Sequence, residues 1–316
     1  MFRYILILIV LIISGLMGYF GFLISPTSLS DEKIRFVVGQ DESQESILDR
    51  LQEDGFIRSK NVFLFVSSIR HFTAKIEPGA YELSKNGGII GVSNTLFSPP
   101  YQRWVTIAPG MRKEQVGLSI QKRFGWNDAA YEEFINTAKE GYLLPETYLV
   151  NTDYSGKAAA DYFMNQFQQK LDEGLYDKFL SKNIKTDTAV KIASLIERES
   201  GGDGDKKLIA GIIWNRLDKN MRLQIDATIQ YVLGNENDWW PILSGKKLSS
   251  IESPYNTYLH TGLPPGAISN PSLASLNAVF DWEDTECIFY LHDHNRQIHC
   301  AITYEEHLEN IERYLK

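Results

Sequence analysis

Glu199 lies on a predicted helix at a position where an apolar side chain would be expected. The segment TAVKIASLIERES over residues 188–200 has the composition of a helix. At 100° per residue, Glu199 falls within about 60° of each of Ile192, Leu195 and Ile196. A carboxylate on that face is partly dehydrated, which disfavours its charged form and raises its pKa. Such a group is a candidate general acid that still holds its proton near neutral pH.

The helix alone leaves a second interpretation of Glu199 open. Gly201 and Gly202 end the helix directly after it, so this carboxylate could instead turn to water. Glu197 lies two residues earlier and points elsewhere, because i,i+2 side chains do not share a helix face. The sequence therefore singles out Glu199, and not Glu197, as the candidate acid.

Length, composition and charge restrict the classes of protein that the chain can belong to. It has 316 residues, of which 43% are hydrophobic, and a formal net charge of −8. This length predicts about two domains with separate cores, and the composition excludes a disordered chain. The sequence has no basic block, which argues against nucleic acid as a partner and against a polybasic lipid-binding patch.

The N-terminal residues 1–25 predict a transmembrane anchor. Residues 4–24 form an uncharged stretch of about 21 residues, long enough to cross the roughly 30 Å hydrocarbon core as a helix. A cleaved signal peptide is the alternative, but its apolar region is typically shorter and is followed by an A-x-A-like site. Arg3 precedes the stretch and no positive charge follows it over residues 25–31, so we expect the bulk of the chain to be extracytoplasmic.

The fold class is predicted to be α+β, with two parts after the anchor. Residues 33–98 form a small module with the order strand, helix, helix, strand, and residues 101–316 form a larger mixed α/β domain beyond Pro99 and Pro100. Strands are predicted at residues 33–38, 79–83 and 104–107. Helices other than that of Glu199 are predicted at residues 43–54, 59–70, 88–97, 112–124, 128–140, 157–172, 206–217 and 304–315.

The two cysteines flank a predicted hairpin near the C-terminus. A turn at residues 294–295 would place Cys300 opposite Phe289, which makes Cys287 a diagonal neighbour. That distance is too long for an unstrained disulfide, so we expect free cysteines, although a longer turn would allow the bond.

Neither a metal nor another cofactor is predicted. His292, His294 and His299 lie in the same hairpin, but no second set of ligands at fixed spacing accompanies them. Histidines in a hairpin are more often surface residues.

Polar and turn-forming residues are concentrated between residues 215 and 271. Amides, hydroxyls and aromatic faces on loops stiffened by proline are typical of a groove that binds sugars rather than an apolar ligand. A surface loop stiffened for stability is the alternative. The candidate groove residues are Gln224, Asp226, Thr228, Tyr231, Asn256, Thr257 and Tyr258.

Several segments resemble one family, the YceG-like endolytic murein transglycosylases, also called MltG. These segments are PGMR from residue 109, GYLLPETY from 141, ASLIERES from 193, NRL from 215, MRLQIDATIQY from 221 and YNTYLHTGLPPGAISNP from 255. The resemblance covers residues from about 105 to the C-terminus. The N-terminal stretch and the small module occupy the places that the family gives to a membrane span and a LysM-like subdomain.

The resemblance implies cleavage of peptidoglycan glycan strands between N-acetylmuramic acid and N-acetylglucosamine, leaving 1,6-anhydromuramyl ends. In the family's ExE motif the second glutamate is catalytic, and here that residue is Glu199. The candidate groove residues would contact the glycan, with Glu146 of PETY and Glu197 as further candidates. The family also implies a single-pass protein of the bacterial cytoplasmic membrane with a periplasmic bulk, a role in terminating nascent strands, and peptidoglycan synthases as possible partners.

Two other functions stay open. A muramidase that uses water would need a second carboxylate near Glu199, and Asp226 is the only candidate nearby in sequence. A non-catalytic scaffold that binds peptidoglycan and recruits synthases would have little use for a poorly solvated acid, so the presence of Glu199 counts against it.

Overall fold

A computed structural model describes residues 2–70, 72, 75–243 and 248–316. The chain forms two compact units. The first comprises Met1–Val105 and Tyr148–Asp153, and the second comprises Thr106–Thr147 and Tyr154–Lys316. The fold is mixed α/β with an N-terminal apolar helix, in agreement with the predicted class at this level.

The first unit begins with α1 (Phe2–Ile24), which is long and apolar enough to cross a membrane. A signal sequence would meet the same criteria. The module that follows contains β1 (Lys33–Val38), α2 (Gln44–Glu53), α3 (Lys60–Ile69), β2 (Gly79–Ser84) and α4 (Gly88–Leu96), with a 3-10 turn at Lys85–Gly87. Each predicted element of the module is confirmed, with ends that differ by about one residue.

Local chemistry explains why the module could be predicted. The hydroxyls of Ser43 and Ser59 cap α2 and α3 by accepting from the backbone N–H groups of Ser46 and Val62. Strand β1 pairs antiparallel with β2 from Lys33↔Ser84 to Val38↔Gly79. Strands β3 (Gln102–Thr106) and β4 (Thr147–Asn151) complete a four-stranded sheet in the order β1-β2-β3-β4. Strand β4 was not predicted.

The second unit is mostly helical around α9, the helix that carries Glu199. Residues 189–190 and 192–196 of α9 are all buried, so this helix is enclosed on nearly every side. The prediction missed α8, α11 and α12, which are too short to show a strong helical period. The helices are α5 (Lys113–Phe124), α6 (Asp128–Thr137), α7 (Gly156–Lys170), α8 (Tyr176–Ser181), α9 (Thr186–Glu199), α10 (Lys206–Asp218), α11 (Asp226–Leu233), α12 (Leu273–Ala278) and α13 (Tyr304–Tyr314).

The C-terminal hairpin corrects the predicted state of the cysteines. Strands β5 (Phe289–His292) and β6 (Ile298–Ala301) are antiparallel, and Cys300 pairs with Tyr290 rather than with Phe289. Cys287 and Cys300 form a disulfide, with Cα atoms 5.9 Å apart, so the expectation of free cysteines was wrong. The turn spans residues 293–297, which is longer than assumed, and Cys287 precedes the regular part of β5.

Asn270 joins three separate segments of the second unit. Its side chain is fully buried, and its Oδ1 accepts from the N–H groups of Gly141 at 3.0 Å and Leu143 at 2.9 Å. Its Nδ2 donates to the carbonyl of Met111 at 3.0 Å. These bonds connect the turn before α5, the segment after α6 and the segment before α12.

We expect Asn270→Ala to lower the free energy of unfolding by about 3 kcal/mol or more, because it leaves the buried N–H groups of Gly141 and Leu143 without an acceptor. Thermal or urea unfolding of the full chain in detergent, followed by tryptophan fluorescence, measures this change. The exposed Asn237 provides a matched control, and Asn237→Ala should change stability by less than about 0.5 kcal/mol. Equal effects of the two substitutions would contradict the bracing role of Asn270.

Candidate active site

A cleft of about 320 Å³ opens beside the C-terminal end of α9. Its lining comes from four helices, the hairpin and the loops beside them, so the site depends on how the second unit folds. The residues around the cleft are Glu199, Arg216, Gln224, Asp226, Tyr258, Phe289, Tyr290, Tyr304 and His307.

Glu199 is the last residue of α9 and faces this cleft. The Tyr290 hydroxyl donates to its Oε2 at 2.6 Å. Burial raises the pKa of Glu199, and the nearby charge of Asp226 adds to the rise. Hydrogen bonds from Tyr290 and from the backbone of Ala227, together with the charge of His292, oppose the rise without cancelling it. The carboxyl therefore holds its proton to a higher pH than an ordinary glutamate does.

Tyr290 is a stable hydrogen-bond donor to Glu199. Burial raises its pKa well above the ordinary value, and the charge of Glu199 raises it further. The phenol therefore keeps its proton when Glu199 is ionised. Nothing in the sequence marked Tyr290, because its approach to Glu199 depends on the hairpin register and on the packing of β5 near the end of α9.

Asp226 and Tyr258 form a second polar pair in the cleft. The Tyr258 hydroxyl donates to Asp226 Oδ1 at 2.5 Å. Gln224 lies beside them with an exposed side chain and a φ of 51°, a backbone conformation that is uncommon for residues other than glycine. The structure thus brings three of the predicted groove residues into the cleft with Glu199.

Arg216 supplies a buried positive charge to the same cleft. Its Nε donates to the carbonyl of Ile288 at 2.6 Å, and its Nη1 donates to the carbonyl of Leu223. These bonds fix the guanidinium between α10, the hairpin and the segment before α11. Arg216 belongs to the NRL segment, but no role was predicted for it from the sequence.

Three other predicted groove residues are buried and hold the loops beneath the cleft. Thr228 Oγ1 donates to the carbonyl of Ile225 at 2.7 Å and lies 3.1 Å from Thr257 Oγ1. Asn256 Nδ2 donates to the carbonyl of Ile251 at 2.6 Å. All three side chains are at most 2% exposed, so their polar groups are satisfied inside the protein.

Tyr231 and Glu146 also lie outside the lining of the cleft. The Tyr231 ring packs on Tyr255 with centroids 5.1 Å apart, and the guanidinium of Arg112 lies 4.2 Å from the Tyr231 centroid. Glu146 has an exposed side chain, and its carbonyl accepts from the N–H of Ile107. The structure does not bring either side chain into the cleft.

Glu197 is held on a different side of α9, where it binds the start of α12. Its Oε2 accepts from Ser272 N at 2.8 Å, from Ser272 Oγ at 2.6 Å and from Ser275 Oγ at 2.6 Å. Lys206 Nζ lies 3.3 Å away. Burial alone would raise the pKa of Glu197, but these hydrogen bonds and the Lys206 charge hold it below its ordinary value. Glu197 is thus an ionised structural group, outside the cleft.

A polar cleft that holds a poorly solvated carboxyl is typical of an enzyme that uses general acid–base catalysis. The sequence pattern of the YceG-like family matches residues 36–313, and the chain belongs to that family. This confirms the resemblance inferred from the motifs.

Two proteins named endolytic murein transglycosylases and one solved structure align with most of the chain. An endolytic murein transglycosylase of Bacillus subtilis is 27% identical, with 96% of this chain and 91% of that protein covered. A protein of the same name from Streptococcus pneumoniae is 24% identical, and the chain spans 62% of its length. A crystal structure of a YceG-like protein from Listeria monocytogenes matches with a TM-score of 0.58 and 25% identity, over 89% of this chain and 99% of that one.

Proposed function

We propose that the chain is a membrane-anchored endolytic transglycosylase of peptidoglycan with Glu199 as its single acid and base. The observation that carries the proposal is the position of Glu199 in a polar cleft, where burial raises its pKa and the Tyr290 hydroxyl binds one carboxyl oxygen. The names of the Bacillus and Streptococcus relatives support murein as the substrate.

The reaction needs one carboxyl because the substrate supplies its own nucleophile. Protonated Glu199 donates to the glycosidic oxygen between N-acetylmuramic acid and N-acetylglucosamine, and the bond from that oxygen to C1 breaks. The C6 hydroxyl of the muramic acid attacks C1, and its proton passes to the Glu199 carboxylate. One strand then ends in a 1,6-anhydromuramyl unit and the other in a free C4 hydroxyl. No water is consumed, and Glu199 returns to its protonated form.

Gln224, Asp226 and Tyr258 are proposed to contact the glycan, since their side chains line the cleft with Glu199. Positive charge develops on the sugar ring as C1 separates from the glycosidic oxygen, and the carboxylate of Asp226 would stabilise it. Thr228, Asn256 and Thr257 support these residues from beneath.

The proposal includes a cellular location and a biological role. Helix α1 would anchor the chain in the cytoplasmic membrane of a bacterium, with the rest on the extracytoplasmic side, as its apolar length suggests. The βααβ order of the small module suits a LysM-like glycan-binding fold. Such an enzyme would cut nascent strands near the membrane and so terminate them, in the company of peptidoglycan synthases.

A hydrolase is a second candidate, because Asp226 lies in the same cleft as Glu199. Paired carboxyl groups on the two sides of a glycosidic bond are the usual arrangement for hydrolysis by water. In that case Asp226 would activate a water molecule or act as the nucleophile, and the product would be a reducing end.

Product analysis separates these functions. The full chain in detergent is incubated with uncrosslinked glycan strands and with mature peptidoglycan, and the fragments are identified by mass spectrometry. We expect anhydromuramyl ends, which are lighter by one water than reducing ends. Reducing ends would instead assign hydrolysis, and an absence of new ends from both substrates would favour a non-catalytic scaffold.

A further inference from the structure

Helix α3 of the small module presents large apolar side chains to its surroundings. Leu64 is 43% exposed, Phe65 is 54% exposed and Ile69 is 59% exposed. Phe63 and Val66 on the opposite face belong to the core of the module. The helix is therefore apolar on both faces, although among the described residues of the module only the face of Phe63 and Val66 packs into the core.

The composition of the exposed face distinguishes it from an ordinary solvated surface. Between Asn61 and Ile69 the sequence contains no charged residue, and the remaining exposed positions are Asn61 and Ser68. Ile90 of α4, a helix that packs against α3, is also 47% exposed. Contiguous apolar surfaces of this kind mark sites of protein or membrane interaction.

The exposed face of α3 continues the apolar surface of α1. The rings of Phe20 and Phe65 pack edge to face with centroids 5.8 Å apart. Helix α1 exposes apolar side chains along almost its entire length. The two surfaces therefore meet at Phe65 and share the same chemistry.

Helix α1 is also joined firmly to the module rather than tethered by a free linker. Ile24, its last residue, packs against the core of the module. A Cβ added at Gly88 would lie 2.6 Å from the Ile24 carbonyl oxygen, so the end of α1 and the start of α4 are in close contact. The Arg58 guanidinium lies 4.2 Å from the centroid of the Phe22 ring and donates to the Pro26 carbonyl at 2.9 Å.

We infer that the exposed face of α3, with Ile90 of α4, inserts into the lipid interface beside α1 and seats the small module on the membrane surface. The partner of this surface is the lipid bilayer, because the exposed face of α3 is continuous with α1, a helix whose apolar surface fits lipid. The inference rests on the proposed anchoring by α1, and it is independent of the proposed catalytic role of Glu199.

The depth of Phe20 supports this assignment. Phe20 precedes the end of α1 by four residues, which at 1.5 Å per residue places it about 6 Å inside that end. Phe65 contacts it at this level. Amphipathic helices at an interface bury their apolar faces by about 5–10 Å, so Phe65, which contacts Phe20, is at a suitable depth.

Fluorescence quenching by lipids tests the inference on the full chain in vesicles. Cys287 and Cys300 are the only cysteines and are joined in a disulfide, so an introduced cysteine can be labelled selectively. An environment-sensitive dye is attached to the variants Ile69→Cys and Leu64→Cys. Phosphatidylcholine with a nitroxide in the upper acyl chain acts as the quencher. Phe20→Cys reports on α1, and Leu180→Cys, at a leucine of the second unit that is 59% exposed, is the matched surface control.

We expect the labels at residues 20, 64 and 69 to lose most of their fluorescence in nitroxide-bearing vesicles, and the label at residue 180 to keep it. Quenching at residue 20 without quenching at residues 64 and 69 would overturn the inference and leave the anchor intact. Failure of quenching at residue 20 would remove the anchor itself, and the inference with it.

Discussion

Replacing Glu199 with glutamine is expected to slow the release of anhydromuramyl ends by about 100- to 10,000-fold, the usual contribution of a general acid or base. Glutamine has nearly the same shape, and its amide oxygen can still accept from the Tyr290 hydroxyl that lies 2.6 Å from Glu199 Oε2. It cannot donate a proton to the glycosidic oxygen or take one from the C6 hydroxyl. The rate is measured by mass spectrometry of digests of uncrosslinked strands.

Glu146→Gln is the matched control, since Glu146 is an exposed glutamate outside the cleft. Its rate should equal that of the unmodified protein. Glu199→Gln should leave thermal stability unchanged or slightly raised, because it removes a poorly solvated acid. A Glu199→Gln variant that keeps more than a tenth of the rate would refute the assignment of Glu199. A variant that loses both activity and stability would show only that the residue is needed for folding.

The part of the site that could be predicted is the part that depends on one helix. Glu199 was selected by the period of its own segment, and that period is fixed by local backbone geometry. The small module was predicted for the same reason, because serine caps and short apolar segments are local signals. Glu197 was separated from Glu199 on the same basis, and the structure places its carboxylate against α12 instead of in the cleft.

The partners of Glu199 could not be predicted because they come from distant segments. Tyr290 reaches Glu199 only through the packing of the hairpin against α9, and Arg216 is held in the cleft by carbonyls from two other segments. The disulfide was missed because the sequence does not reveal the length of the hairpin turn. These features depend on tertiary packing and register, which no local pattern records.

The sequence also predicted more sugar-contacting residues than the structure brings into the cleft. Thr228, Asn256 and Thr257 have the hydroxyls and amides that bind sugars, but the structure uses their hydrogen bonds within the protein. From sequence, a polar side chain that is satisfied internally cannot be told apart from one that faces a ligand. Gln224, Asp226 and Tyr258 differ from them only in their position at the surface of the cleft.

Replacing Tyr290 with phenylalanine is expected to lower the maximal rate by about 10- to 100-fold, the effect of losing one hydrogen bond to a charged group. It is also expected to move the alkaline limb of the pH–rate profile to higher pH. The active form of Glu199 holds its proton, so activity falls as the pH rises through the pKa of this group. The Tyr290 hydroxyl stabilises the carboxylate and lowers that pKa, so its removal must raise the pKa.

Asp226→Asn should shift the same limb in the opposite direction, because the charge of Asp226 raises the pKa of Glu199. Without that charge the carboxyl ionises at a lower pH, and activity is lost earlier as the pH rises. The asparagine oxygen can still accept from the Tyr258 hydroxyl, so the pair that lies 2.5 Å apart is kept. A general loss of packing would lower the rates of the Tyr290→Phe and Asp226→Asn variants without shifting the alkaline limb of either pH–rate profile. If the alkaline limbs of the two variants stay in place, or shift in the same direction, Tyr290 and Asp226 are excluded as the groups that set the pKa of Glu199.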